Sequence, residues 1–263
     1  MNKITDKIFG GERPLFEIHN TELDHVRITF GESGIKECSN IMCRNCYFAP
    51  GSRSAIWYSD DMHMEDCVIN GPKFFREMKN LTLKNVVIND ADETFWGIDG
   101  LTLDNVVLHN GTYPFMHCKN IKIRNLESDS MYVFQYCQNV EIHNARINTK
   151  DSFWEVDNVT VYDSELNGEF LGWHSRGLHL INCHISGEQP LCYATDLVLE
   201  NCTFDSECDR AFEYSTLQAD ITGHIKSVKN PTSGHITADS FGEIIIDQNI
   251  KQPADCIITT RKQ

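Results

Sequence analysis

Apolar and polar residues in this chain alternate in short bursts that recur at a fixed interval. The pattern apolar-x-apolar-x-Asn appears as Ile41-Met42-Cys43-Arg44-Asn45, Leu81-Thr82-Leu83-Lys84-Asn85, Leu101-Thr102-Leu103-Asp104-Asn105 and Ile121-Lys122-Ile123-Arg124-Asn125. It continues at Val140 to Asn144, Val159 to Asp163, Leu178 to Asn182 and Leu197 to Asn201, with Met62 to Asp66 as a further copy. The interval is 19 to 21 residues throughout. A fixed period of this length is the mark of a solenoid, in which each repeat buries its apolar face against the next.

Alternation of period two is that of a strand with one buried face. The Asn or Asp that follows tolerates the left-handed αL conformation and bonds to nearby backbone. The chain is therefore expected to turn there into a second short strand, such as Cys67-Val68-Ile69 or Val86-Val87-Ile88. Stacked coils would bring the turn residues into an Asn ladder. A third strand is expected about ten residues before each Asn, where Ile56, Phe75, Phe95, Phe115, Phe134, Phe153, Gly172 and Leu191 share one register position. That position reads as a buried phenylalanine stack with one gap.

These features predict an all-β fold: a single-stranded right-handed parallel β-helix, a solenoid of about ten coils of 19 to 21 residues with three short strands per coil. Residues 1–32 are expected to cover one end and residues 33–216 to form the coils. Residues 217–263, where the motif fades into short strands with Asn230-Pro231 and Ser233-Gly234 turns, are expected to close the same domain. Covers are needed because an open solenoid end is a row of unpaired backbone groups.

The cysteines fall out of the same alignment. Cys38, Cys118 and Cys137 share an inward position with Ser59 and Ile98, and Cys46, Cys67, Cys183 and Cys202 share another with Val86 and Ala145. The eleven cysteines are expected to be free thiols at positions that want a small apolar side chain. The Cys43-x-x-Cys46 pair is read the same way, because no second pair follows at zinc spacing.

A formal net charge of −15 argues against nucleic acid and anionic membrane as partners, since both demand clustered Lys and Arg. The opening residues MNKITDKIFGGERP lack the apolar run of a signal peptide, so a cytoplasmic protein is expected. There is no glycine-rich phosphate loop, no nucleophile elbow and no two-histidine metal spacing, and neither a cofactor nor a metal is expected.

Three strands per coil with Asn at the tight turn resemble the right-handed β-helix of pectate lyases and related polysaccharide enzymes, over roughly residues 24–216. More specifically, Gly11-Glu12-Arg13, Gly31-Glu32-Ser33 with Lys36-Glu37, Ser227-Val228-Lys229-Asn230-Pro231 and Gly242-Glu243-Ile244-Ile245 resemble a bacterial β-helix family of unknown function. The long loops and acidic clusters of the lyases have no counterpart in coils this uniform. The resemblance therefore implies the architecture and carries over no catalytic residue.

Candidate chemistry lies along the Phe strand. One outward position holds Lys36, Trp57, Arg76, Trp96, Met116, Gln135, Trp154, Trp173 and Cys192, and it takes in all four tryptophans of the chain. An aromatic stripe interrupted by hydrogen-bonding side chains suits a sugar, whose apolar face stacks on indole while its hydroxyls meet polar groups. A carbohydrate ligand is thus one reading of Trp57, Arg76, Trp96, Gln135, Trp154 and Trp173. The rival is a non-catalytic scaffold that uses the stripe as the interface of a homo-oligomer, since Trp and Arg are also enriched there.

The next position carries Glu37, Tyr58, Glu77, Gly97, His117, Tyr136, Glu155, His174 and Tyr193. Glu77 and Glu155 are four coils apart, roughly 19 Å, too far for a glycosidase pair at about 5 to 9.5 Å. Glu155 and His174 fall on adjacent coils, about 4.8 Å apart by strand spacing. They form the acid-base candidate of an enzyme that would be a lyase, hydrolase or epimerase, because a carboxylate can orient an imidazole for proton transfer.

Overall fold

The computed structural model describes residues 1–262. The chain divides after Met131 into two units, each a right-handed parallel β-helix, with about fourteen turns in all. Among the described residues no helix is long and apolar enough to cross a membrane.

In the first unit the strands Asn2–Thr5, His19–Asp24, Ser39–Arg44, Asp60–Glu65, Lys79–Ile88, Asp99–Thr112 and Lys119–Met131 pair in parallel. Ile41 pairs with Met62, Met62 with Leu81, Leu81 with Leu101 and Leu101 with Ile121. Each motif thus sits squarely on the one before, and its two apolar residues point into the core. The second unit repeats the arrangement with Gln138–His143, Asp157–Tyr162, Arg176–Ile181, Leu197–Phe204, Thr216–Lys229, Ser233–Ile245 and Ile257–Thr260. Strict register follows from burial, because a one-residue slip would turn every apolar side chain outward.

The turn count is about fourteen and not ten because the terminal stretches wind in the same way. Asn2–Thr5 pairs with His19–Asp24 although its sequence lacks the motif, and Thr216–Lys229, Ser233–Ile245 and Ile257–Thr260 stack in parallel. Backbone pairing propagates the coil there with fewer apolar residues to advertise it. Asn230, fully buried, ties two of these coils by donating to Asp247 at 2.8 Å and accepting from the Asp247 N–H at 2.9 Å.

The Asn ladder is present. Asn85, Asn105, Asn144, Asn182 and Asn201 all take positive φ between 50° and 56°. The Asn85 amide donates to Asp66 at 2.9 Å, Asn105 to Asn85 at 2.8 Å and Asn201 to Asn182 at 2.9 Å. A second ladder stands at the second residue of the strands. Asn40 donates to Asn20 at 2.7 Å, Asn80 to Asp61 at 2.8 Å and Asn158 to Asn139 at 2.9 Å, all six at positive φ. Each ladder joins side chains that already accept αL, so the turns also become cross-coil bonds.

The third side departs from the expected strand. It is extended only at Leu15–Phe16, Ile35–Lys36 and Ile56–Trp57. From Phe75 onward the equivalent residue is αL, with φ of 58° at Phe75, 59° at Phe95 and 56° at Phe153. The β-branched Ile35 and Ile56 resist that region, whereas Phe, without a branch at Cβ, enters it more readily. The rings still stack inside: Phe75 on Phe95 at 5.2 Å, Phe95 on Phe115 at 4.7 Å and Phe134 on Phe153 at 5.2 Å, each pair within 9° of parallel. At Gly172, the break in the stack, a Cβ would lie 2.8 Å from a Leu191 methyl and 3.0 Å from a Leu178 methyl. The neighbouring leucines fill the space that the missing ring leaves.

Ten of the eleven cysteines are buried and all are free. Cys43 and Cys46 lie in the core of the first unit. Burial pushes the Cys192 and Cys208 thiols up to about 12, which keeps them protonated and unreactive at neutral pH.

Candidate functional site

The residue after each inward position on this side points outward, whether that position is an extended Ile56, an αL Phe95 or Phe153, or Gly172, and this decides where the four tryptophans go. All four are half-buried. Trp57 donates its indole N–H to the Lys73 carbonyl at 3.3 Å, Trp96 to Tyr113 at 2.7 Å and Trp173 to Gln189 at 2.8 Å. The acceptor is in each case the corner residue one coil further on, so the polar handle of the indole is spent within the fold and its ring face remains. Trp154 differs, because its buried N–H has no hydrogen-bond partner among the described residues.

In the first unit the stripe is closed on itself. Trp57, Arg76 and Trp96 are parallel-bridged neighbours, and the Arg76 guanidinium lies 5.4 Å from the Trp57 ring and 4.2 Å from the Trp96 ring. Glu93 pairs with Arg76, and Lys73 adds a bond to Glu93 at 3.0 Å. Burial pulls the Glu93 carboxyl up, but the Lys73 and Arg76 bonds outweigh it and hold the group below its ordinary range. A guanidinium that is sandwiched, ion-paired and 12 % exposed has little left to offer a ligand. On the outward sheet face of this unit, Asp24, Arg44, Glu65 and Lys84 alternate in sign. Arg44 reaches Glu22 at 3.2 Å, and Lys84 reaches Glu65 at 2.9 Å.

The second unit is arranged differently. Gln135 and Cys192, expected on the outward stripe, are only 4 % and 0 % exposed, and both lie outside the depression described below. Trp154 and Trp173 meet edge to face at 6.3 Å. Trp173 also touches Phe170 at 4.8 Å and Tyr193 at 5.1 Å. His174 stacks on Tyr193 at 5.0 Å and 15°, and Tyr193 continues to Tyr214 at 5.8 Å. The result is an aromatic ladder with an imidazole at its end.

Glu155 and His174 are both exposed and both αL, with φ of 51° and 56°. Their coils are held together at this corner by the Glu155 N–H, which donates to the Trp173 carbonyl at 3.0 Å. The two line a single open depression of about 520 Å³ with Gln138, Val156, Asp157 and Arg176. Arg176 grips Asp157 through two bonds, Nε to Oδ1 at 2.9 Å and a second through the other nitrogen. Glu155 has no ion-pair partner among the described residues.

Sequence reasoning named Glu155, His174, Trp154 and Trp173 and missed Gln138, Asp157, Arg176 and Tyr214. A signal for two of these was present: Asp157 and Arg176 stand two residues beyond Glu155 and His174 and pair in register. Tyr193 stood in the same register run as His174, but its stacking on the imidazole is a matter of ring orientation. Burial raises the Tyr193 hydroxyl above its ordinary range, with nearby Glu213 adding to it, so the phenol stays a donor. Among the described residues no three His, Cys, Asp or Glu side chains gather as a metal would require.

Fold and corner together define a parallel β-helix with an aromatic ladder beside a polar depression. The chain belongs to the family described as protein of unknown function DUF3737, whose model matches residues 2–50 and 43–259. No curated protein matches it in sequence. Among solved structures it is similar to the A-module of the Azotobacter vinelandii mannuronan C-5 epimerase AlgE4, with 10 % identity, a TM-score of 0.40 and coverage of 99 % of this chain and 91 % of that one. It is also similar to the Streptococcus pneumoniae surface protein and adhesin PfbA, with 8 % identity, a TM-score of 0.35 and coverage of 92 % and 77 %. A third is the fluoroquinolone resistance protein QnrB1, with 13 % identity, a TM-score of 0.28 and coverage of 75 % and 92 %. At such identities the function of this chain has to be read from its own side chains.

Proposed function

We propose that this protein binds a saccharide at the second unit's corner, with sugar rings against the Trp173, Tyr193 and Tyr214 surfaces and hydroxyls in the adjoining depression. The observation that carries this reading is the 520 Å³ depression, lined by Gln138, Glu155, Asp157, His174 and Arg176, one of which stacks directly on the aromatic ladder. Flat apolar faces next to convergent donors and acceptors are what a sugar ring requires. Glu155 and His174 are the groups in the depression suited to exchanging a proton, and elimination or epimerisation at a sugar carbon is the chemistry such a pair serves. Intrinsic fluorescence titrated with oligosaccharides tests the reading. A saturable shift in the wild type that is lost in Trp173→Ala supports it, and Glu155→Gln and His174→Ala then report on turnover. Indifference to every saccharide rejects it.

A subunit interface along the stripe remains the rival reading, favoured by Tyr58 and Tyr136, which are 51 % and 38 % exposed. Sedimentation separates the two. The rival expects a stable oligomer whose tryptophan emission ignores sugars.

A further inference from the structure

We infer that the second unit's corner selects a neutral or amino saccharide and disfavours a polyuronate. The inference rests on the saccharide reading above and adds the charge of the ligand to it.

The reason is the commitment of its cations. A uronate needs a free Arg or Lys, best as a fork that meets the carboxylate through two bonds. Arg176 is the one Arg or Lys that lines the depression, and both arms of its fork are taken by Asp157. Lys150 is bonded to Glu169 at 3.3 Å, and Lys229, on the side of Tyr193 and Tyr214, is held by Glu213 at 2.9 Å and Asp247 at 3.4 Å. The acids are not balanced in return. Glu155 faces the depression without a cation.

Asp151, four residues earlier on the same corner, is 7 % exposed, and its Oδ1 has no hydrogen-bond partner among the described residues. Arg176 is a single cation set against the two carboxylates of Glu155 and Asp157 in the depression. The surrounding chain, at −15 overall, reinforces that excess of acid. A carboxylated sugar would meet repulsion and no fork, whereas an ammonium group would find an unpaired carboxylate.

The test is competition between oligosaccharides of equal length on the full chain: a neutral glucose oligomer, a glucosamine oligomer and a galacturonate oligomer. Binding is followed by tryptophan emission and calorimetry. The amino oligomer should bind more tightly than the uronate by about two- to fivefold for each charge in play, the range of exposed ion pairs. The ratio should shrink as salt screens it. Glu155→Gln should narrow it by about the same factor, and thermal unfolding of that variant shows that the fold is kept. A uronate that binds as tightly as the amino oligomer, or more so, overturns the inference while leaving the saccharide reading standing. Failure of all three ligands removes the saccharide reading itself.

Discussion

Glu93-Thr94-Phe95-Trp96 in the first unit and Asp151-Ser152-Phe153-Trp154 in the second are one corner built twice, with an acid at φ of 47° or 54° and a Phe at φ of 59° or 56°. One difference, a coil earlier, separates their fates. In the first unit the preceding stripe residue is Arg76, which fits between two indoles and neutralises Glu93. In the second it is Gln135, so Asp151 keeps an unpartnered oxygen and the Trp154 N–H is also left over. A corner whose charges and aromatic faces satisfy one another is structure. A corner that leaves them unsatisfied keeps the capacity to bind.

The comparison can be attacked from its strongest term downward. The ring stacks are equivalent in the two units, so Phe95→Ala and Phe153→Ala should each cost about 3 to 5 kcal/mol, the toll of emptying a core aromatic site. Urea denaturation reads both, and a cost confined to one would show that the two ring stacks are not equivalent. Arg76→Ala should cost about 1 to 3 kcal/mol, because it strips Glu93 of one of its two cation partners and removes the guanidinium from between two indoles. Its sign would appear also as a red shift of tryptophan emission.

Converting the second corner into the first is the complementary experiment. Gln135→Arg places a guanidinium where Asp151 can accept it, as Glu93 accepts Arg76, and should raise stability by about 0.5 to 1 kcal/mol. The same change should weaken any amino-saccharide preference. An unchanged or lowered melting temperature would mean that Gln135 and Arg76 are not equivalent in reach.

The smallest effects are in pH, and they carry opposite signs. The folded carboxyl of Glu93 sits below its unfolded value, so its stabilisation is present above about pH 4.3 and fades as pH falls through the lower folded value. Burial raises the Asp151 carboxyl. Its folded form therefore holds the proton more firmly, and its contribution is greatest in acid and lost as pH rises through the raised value. Glu93→Gln should accordingly destabilise at neutral pH and be nearly silent near pH 3, while Asp151→Asn should stabilise at neutral pH and lose that gain in acid. The Glu93 change should stay below about 1 kcal/mol, since solvent screens that partly exposed carboxylate, and the buried Asp151 is read by its sign. Urea midpoints at the two pH values check the signs.

Much of this was legible in the chain. The motif Leu81-Thr82-Leu83-Lys84-Asn85 states a strand, its buried face and its turn, and its return every 19 to 21 residues states the stacking. Glu155 and His174 could be placed on neighbouring coils by counting alone, and they line one depression. Two things could not be counted. The first was the extent of the solenoid, because Asn2–Thr5 and Ile257–Thr260 join it by backbone pairing, which any sequence able to extend can make. The second was the burial of Gln135, which depends on how closely its neighbours cover the corner.

What the sequence alone determined is therefore what repeats: period, register, the inward Phe and Cys positions and the Asn turns. Each is imposed by short-range stereochemistry or by the alternation of one buried face. Tertiary structure decided what does not repeat. It turned the Phe side into αL corners, matched Arg76 to Glu93 and Arg176 to Asp157, and left Glu155 without a cation. Register brings side chains to the same height, but whether two of them satisfy each other depends on reach, rotamer and the dielectric around them, and those are settled only when the coils are stacked.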